Sequence, residues 1–544
     1  MTARSSRLAL CTVLFVVSLA LGVAPLRAEQ DWTLLAAQQF EKEERWAWAC
    51  QKYDELLKKD RNSPELKAAY KRCLRHVHQE RRLQDESFRT KLIGLKKPSD
   101  ALDVYEKVLV LLRDNYLERD RVDAVALFLE GLLEFQFGLD DELFRKEYLA
   151  GVSDEAIKEF QTRFDPWRDE AAKIHNEMDA REKVQEIALA AMELKLKPTV
   201  VIFEFAWGAC NALDEYTSCL TPQQWIDLKG TAKGRYVGIG VKLGYNDQKQ
   251  LVITRVFPDS PAFGELKLFE RITHIDGKDV TKLEFRAAAA LLQGEEGTPV
   301  ELKIEPPVGE MATLLGMGGR VIKVQRGKVP IRSVEDPAFL TMPGESMDKP
   351  AIGYVRVNSF SDSTVQDLKS AILRLEASGM QVLILDLRGN PGGSFPAGVK
   401  VAELFLNEGV IVYKQGRVKE ETHKAHNPGA FTMPVVLLVD GETASAAEVV
   451  AGALKENNRA RIVGQTTFGK GSIQTMIQFD KVPAGMRIKV AHFLSPTNQP
   501  YHGQGIAPHR AVELAGFTAD TQLLAAQEEA RSLASAMPTM NMMR

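Results

Sequence analysis

Several absences narrow what this 544-residue chain can do. No apolar run reaches the roughly 20 residues of a membrane-spanning helix; the longest, residues 8–23, has 16. Charge is balanced, with 70 Lys and Arg against 73 Asp and Glu. Nothing in bulk therefore suggests nucleic acid, and no like-charge run suggests a solvating tail. C-x-x-C and H-E-x-x-H are missing. The nine histidines approach ligand spacing only at His76 and His78, which lie among charged residues where a solvated helix face is expected. No metal is expected. Neither a G-x-S-x-G elbow nor a histidine–aspartate pair stands out, so a histidine triad lacks support.

What is present reads as a multidomain globular protein: 45% hydrophobic, 26% charged, and long enough for three or four domains of about 150 residues. Residues 1–28 have the order of a secretory leader. Arg4 and Arg7 precede the apolar run, and a small residue, Ala28, stands at a cleavage point. Cys11 follows Leu10 rather than a small residue, which argues against a lipoprotein site; an uncleaved anchor is the alternative. Export, most simply to a periplasm, is expected. Cys50, Cys73, Cys210 and Cys219 then remain, enough for two disulfides in three pairings, with Cys50–Cys73 feasible across a helical hairpin. Four buried thiols are the alternative.

Residues 29–230 read as helical, with Ser63 as an N-cap and Pro64 at the first helical position. They suggest an interaction layer for an adaptor or a membrane-associated partner and reveal no chemistry. Residues 231–330 alternate short β-rich runs with turns, with one or two helices. The stretch YVGIGV offers Gly238, Ile239 and Gly240 where a backbone can approach a peptide end. A PDZ-like peptide-binding β-barrel is expected, with a purely structural β-domain as the alternative. Residues 331–515 alternate strand and helix, VIVYK among the strands, so a site belongs at the carboxyl ends of strands, where RGNPGG and DGETAS lie. Residues 516–544 read as a tail.

GQTTFGKGSIQT, residues 464–475, matches G-x-x-x-x-G-K. A phosphate loop needs Ser or Thr after the lysine and a helix starting there. Lys470 is instead followed by Gly471 and by the alternating pattern of a strand, so nucleotide binding fails twice. The other reading makes Lys470 a base. Ser445 falls where a strand turns into a helix, and the N–H of Ala446 at that helix start is a candidate oxyanion donor. An ordinary N-cap is the alternative role for Ser445.

DLRGNPGG, TASAAEVVAGAL and GQTTFGKGSIQ, in this order behind a PDZ-like module, resemble the C-terminal processing peptidases. These are Ser/Lys endopeptidases with a crotonase/ClpP-like α/β core. The resemblance spans about residues 200–515. It implies Ser445 as nucleophile, Lys470 as general base, Gln474 orienting the amine, and Gly393 giving a second oxyanion N–H. It implies protein substrates with apolar C-termini held by the module, which gates the site in relatives, and no cofactor. A lysine base must be neutral, so its pKa has to fall from about 10.4 toward 7 or 8, a cost of roughly 4 kcal/mol. Gln474 would lie about 13 Å from Lys470 along a straight strand, so the chain must bend near Gly471. The family's glycine–aspartate turn is replaced by LKLFERITHIDG, which puts the module's affinity and gating in question. The alternative is a catalytically silent PDZ-bearing scaffold.

Overall fold

The structure, a computed structural model, describes residues 24–60, 63–246, 250–281, 283, 285–306, 319–335, 337–340, 351–513 and 520–536. The expected leader lies outside them except for its last five residues. No helix among the described residues is long and apolar enough to cross a membrane. The chain divides into two compact units.

The first unit comprises residues up to 114, 120–221 and 479–483, and is helical: α1 (Ala24–Lys42), α2 (Trp46–Lys59), α3 (Pro64–Gln84), α4 (Pro98–Asn115, its last residue in the second unit), α5 (Ala124–Asp140) and α6 (Pro198–Asn211), with further helices between. Ser63 caps α3 as its sequence indicates, accepting from the Leu66 N–H at 3.3 Å, with Pro64 at the first position. The solvated face expected for His76 and His78 needs correcting. His76 is half-buried, stacked on Trp46 with centroids 3.9 Å apart, and burial lowers its pKa. Apolar neighbours from another helix override the local charge pattern.

All four cysteines are buried thiols here. The sulfurs of Cys210 and Cys219 lie 3.4 Å apart, and Cys50 shares a hydrogen bond with Cys73, so one of the three pairings is pre-arranged. A buried polar knot ties three helices of this unit. Arg82 is 1% exposed and meets Glu204 at 2.6 Å and Glu134 at 3.4 Å; Gln79 and Asn211 donate to the same carboxylates. Burial pushes the Glu204 carboxyl up to about 7, against the pull of Arg82.

The second unit comprises residues 115–119, 222–478 and 484 onward. After α7 (Pro222–Ala232) comes a β module. Its strands are β1 (Arg235–Gly238), β2 (Val241–Tyr245), β3 (Leu251–Val256), β4 (Arg271–Ile275), β5 (Pro299–Glu305), β6 (Arg320–Gln325) and β7 (Gly327–Pro330), with the helix α8 (Phe285–Leu291) between β4 and β5 in sequence. β2 to β6 form an antiparallel sheet in sequence order, and β1 pairs with β7. Ile239, Ile253, Ile272, Leu302 and Val324 are among its core residues.

The remainder is an α/β core. β8 (Ala338–Leu340), β9 (Ile352–Arg356), α9 (Thr364–Ala377), β10 (Val382–Asp386), α10 (Phe395–Glu403), β11 (Val410–Gly416), β12 (Glu420–Lys424), β13 (Val435–Val439), α11 (Ala446–Glu456), β14 (Ala460–Gly464), β15 (Ser472–Gln478), β16 (Gly485–Leu494), β17 (Arg510–Ala511) and α12 (Thr521–Ser535) follow in order. The main sheet runs β8-β9-β10-β13-β14-β17, parallel from β9 onward. Its central strands VLILD and VVLLV are buried at every position, as strands covered on both faces must be.

Two expectations give way. VIVYK does not join that sheet; as part of β11 it pairs antiparallel with β12 and β16. Burial in β11 stops after Ile411 and Val412, and its later residues Lys414 and Gln415 are not buried. The tail contains α12, whose Ala526 and Ala530 pack on Ile384, Leu438 and Val463. Small residues on that face let the helix lie close to the sheet.

Arg82→Met, close in volume, strands Glu134 and Glu204 in the interior. It is expected to lower the urea-unfolding free energy of the helical unit by about 3–5 kcal/mol. The folded pKa of Glu204 lies above its unfolded value of 4.5, so its contribution to stability is present below that value and lost as pH rises through about 7. The deficit should therefore shrink on acidification below pH 7.

Candidate active site

β10, β13 and β14 are adjacent and parallel, so the loops leaving their carboxyl ends share one edge of the sheet. These loops are residues 387–394, 440–445 and 465–471, and they carry the three sequence motifs. Backbone and side-chain hydrogen bonds knit them together. The Asp440 carboxylate accepts from the Gly389 N–H at 3.0 Å, Ala444 N–H donates to the Asn390 carbonyl at 2.9 Å, and Phe468 N–H to the Thr443 carbonyl at 2.9 Å.

Ser445 stands at the N-cap of α11 with φ 56° and ψ −117°. A positive φ on a non-glycine residue is sterically costly, of order 1–3 kcal/mol, and persists only where surroundings impose it. An elbow is thus present without the G-x-S-x-G pattern. Ser445 is half-buried, and Ala446 follows as the first helical residue.

Glu448 imposes that geometry. Its side chain is fully buried three residues into α11. One oxygen, Oε2, accepts the backbone N–H of Ser445 and that of Lys470, each at 2.8 Å. The two nitrogens therefore lie at most twice that distance apart. The other oxygen, Oε1, accepts from Thr467 Oγ1 at 2.6 Å and from Gly469 N–H at 2.7 Å. Burial raises the Glu448 pKa, while four donors act in the opposite direction. Sequence reasoning passed over this residue, although S-A-A-E at 445–448 is the capping-box signature and would have pointed to it.

The glycine loop closes on the same turn. Gly392 has φ +95°, and a Cβ on it would lie 2.7 Å from Ser445 Cβ and 2.9 Å from Ala446 N, so only glycine fits. Gly393, at φ +139°, is held in a parallel bridge with Phe360, whose carbonyl accepts from Ser394 N–H. Among the described residues no acceptor is bonded to the N–H of Gly393 or of Ala446. Arg388 anchors this loop from beneath. It meets Asp386 at 2.7 Å and Asp520, the N-cap of α12, at 2.8 Å. Burial works against its charge, but the two carboxylates outweigh it and raise its pKa.

Lys470 is half-buried. Gln474 lies within β15, and its amide donates to the Ser472 carbonyl at 3.0 Å and Ser472 Oγ at 2.8 Å. Gly238 ends β1, and Ile239 and Gly240 link it to β2. The Ile239 carbonyl accepts from Ala262 N–H at 2.9 Å and that of Gly240 from Phe257 N–H at 3.0 Å. Gly240 N–H bonds the Tyr236 hydroxyl, whose pKa burial raises.

Residues 351–512 match the family described as Peptidase family S41. The carboxyl-terminal-processing protease of Synechocystis sp. is 35% identical over 305 residues, 55% of this chain and 68% of that protein. The chain belongs to the C-terminal processing peptidases of family S41. It is a serine-type peptidase, and the silent-scaffold alternative gives way. The carboxy-terminal processing protease CtpA of Bacillus subtilis is 30% identical over 57% of this chain and 63% of its own length. Among solved structures, a photosystem II D1 C-terminal processing protease aligns over 80% of this peptidase and 99% of its own chain, at 23% identity and TM-score 0.41.

Glu448→Gln turns an amide N–H₂ toward at least one backbone N–H, which can only donate. It is expected to destabilise the core by about 1–3 kcal/mol in thermal unfolding. By loosening Ser445 against Lys470, it should also lower peptidase activity about 100-fold.

Proposed function

We propose that the chain is an exported endopeptidase that cuts protein substrates at or near their C-terminal ends, with Ser445 as nucleophile and Lys470 as general base. The observation that carries this reading is the shared Glu448 oxygen, which binds the backbone of both residues and so brings two distant motifs to one point. The names of the relatives support the class of cleavage.

The neutral amine of Lys470 takes the Ser445 hydroxyl proton as Oγ attacks the peptide carbonyl. The N–H groups of Gly393 and Ala446, at a helix start with its positive potential, stabilise the oxyanion. The lysine ammonium returns its proton to the leaving amine, and the acyl-enzyme forms. Water deprotonated by Lys470 then releases the product. In this scheme Gln474 swings from Ser472 to orient the amine. The core is crotonase-like, and the β module acts as a PDZ-like holder in which Gly238, Ile239 and Gly240 receive an apolar C-terminus. Receiving a carboxylate at Gly240 requires the Tyr236 hydroxyl to leave that N–H. The leader sequence supports export, and the helical unit offers a surface for an adaptor or a membrane-associated partner.

Residues 29–544 are incubated with an unstructured protein ending in apolar residues, with chelator and without nucleotide. Wild type is expected to cleave it, and Ser445→Ala and Lys470→Ala to show no cleavage above background. Cleavage by all three would overturn the site assignment. The wild-type rate should rise with pH through one ionisation near 7–8, the range a lysine base requires.

A further inference from the structure

Lys470 is held on its amino side by Glu448; what holds its carboxyl side lies outside the three motif loops. β15 and β16 form an antiparallel hairpin in which Ser472 faces His492 and Gln474 faces Lys489, with one extra residue, Val490, bulged from β16. Directly opposed residues share a face, and so do residues two apart on one strand. Ser472, Gln474, Lys489 and His492 therefore line one side, next to the loop bearing Lys470.

Residues 115–119, which follow α4, run along this face. Leu117 N–H donates to the Lys489 carbonyl at 3.0 Å. Glu118 Oε1 lies 2.6 Å from Lys489 Nζ and 3.7 Å from His492 Nε2. Burial opposes the charge of Glu118, but Lys489 first among its neighbours overcomes it and lowers the pKa, so the carboxylate is ionised. The other ring nitrogen of His492, Nδ1, is 3.2 Å from the Gly471 carbonyl. A carbonyl has no proton to give, so Nδ1 carries the hydrogen and donates it. Nε2 faces the carboxylate at 3.7 Å, an ion pair that holds the ring plane when both ring nitrogens carry a proton. His502 is a further titratable neighbour, its ring centred 5.4 Å away.

The Gly471 carbonyl already accepts the strand hydrogen bond of Phe493 N–H at 3.0 Å. The sheet does not need the second donor. Its effect is to pin the peptide immediately after Lys470, while Glu448 pins the N–H of Lys470 itself.

We infer that His492 and Glu118 are positioning residues for the peptidase reaction: Glu118 orients His492, and His492 holds the Gly471 carbonyl and with it the backbone that presents Lys470. This rests on the reading of Lys470 as the base. Positioning of this kind acts on the chemical step more than on substrate capture, because neither residue belongs to the β module proposed to hold the substrate.

The test compares full-chain wild type with His492→Ala, His492→Asn, Glu118→Gln and Lys470→Ala, measuring kcat, KM and Tm on the same protein substrate. His492→Ala is expected to lower kcat about tenfold with KM within about twofold. His492→Asn, whose amide N–H can donate to the same carbonyl, should recover most of that loss, and Glu118→Gln should fall between wild type and His492→Ala. A purely structural histidine would move Tm without this kcat–KM split and without rescue by asparagine. The inference is overturned if His492→Ala keeps wild-type kcat, if asparagine rescues nothing, or if the loss is in KM alone. Should His492→Ala not fold, wild-type kcat in Glu118→Gln overturns it as well. Lys470→Ala separates the two readings. If it cleaves normally, the Ser/Lys assignment fails. If it is inactive while His492→Ala is normal, only the present inference fails.

Discussion

One buried carboxylate sets the geometry on which the site depends. Glu448 takes four hydrogen bonds, from Ser445, Thr467, Gly469 and Lys470, and has no basic side chain among them. A carboxylate removed from water requires that many donors to remain in place. The requirement runs both ways: the helix start and the lysine loop cannot separate without stranding a charge. The positive φ of Ser445 is the local cost of meeting it, and the packing of Gly392 against Ser445 shows how little slack remains.

The architecture delivers its parts to this carboxylate by strand order. β10, β13 and β14 are sheet neighbours although their loops are separated by tens of residues in sequence. Parallel pairing makes all three loops emerge on one side. The antiparallel hairpin β15–β16 then starts where the lysine loop ends, so Lys470 stands at the junction between two sheets. A residue at such a junction can be held from both sides by groups that belong to neither its own strand nor its own loop.

Much of this was legible in the sequence, and the failures have physical causes. VLILD and VVLLV announce buried parallel strands because nothing polar interrupts them, and Ser63-Pro64 marks a helix start through local chemistry alone. Ser445 and Lys470 were readable as candidates because their neighbours repeat recognisable patterns. Glu448 was overlooked because a glutamate in a helix reads as solvent-facing, and only tertiary packing encloses it. His76 and β11 misled for the same reason, since charge patterning reports the local segment and not what another element lays over it. Gln474 was placed by resemblance, and its amide in this structure serves Ser472 instead.

The junction of Arg388 with Asp520 carries a consequence for synthesis. Arg388 supports the glycine loop, yet one of its two carboxylate partners caps the last described helix, 132 positions later in the chain. A ribosome-bound chain that has made every motif residue still lacks that partner and the helix that covers the outer face of the sheet. The glycine loop of the peptidase site thus gains its second anchor only after Asp520 has been made and α12 has packed on the sheet.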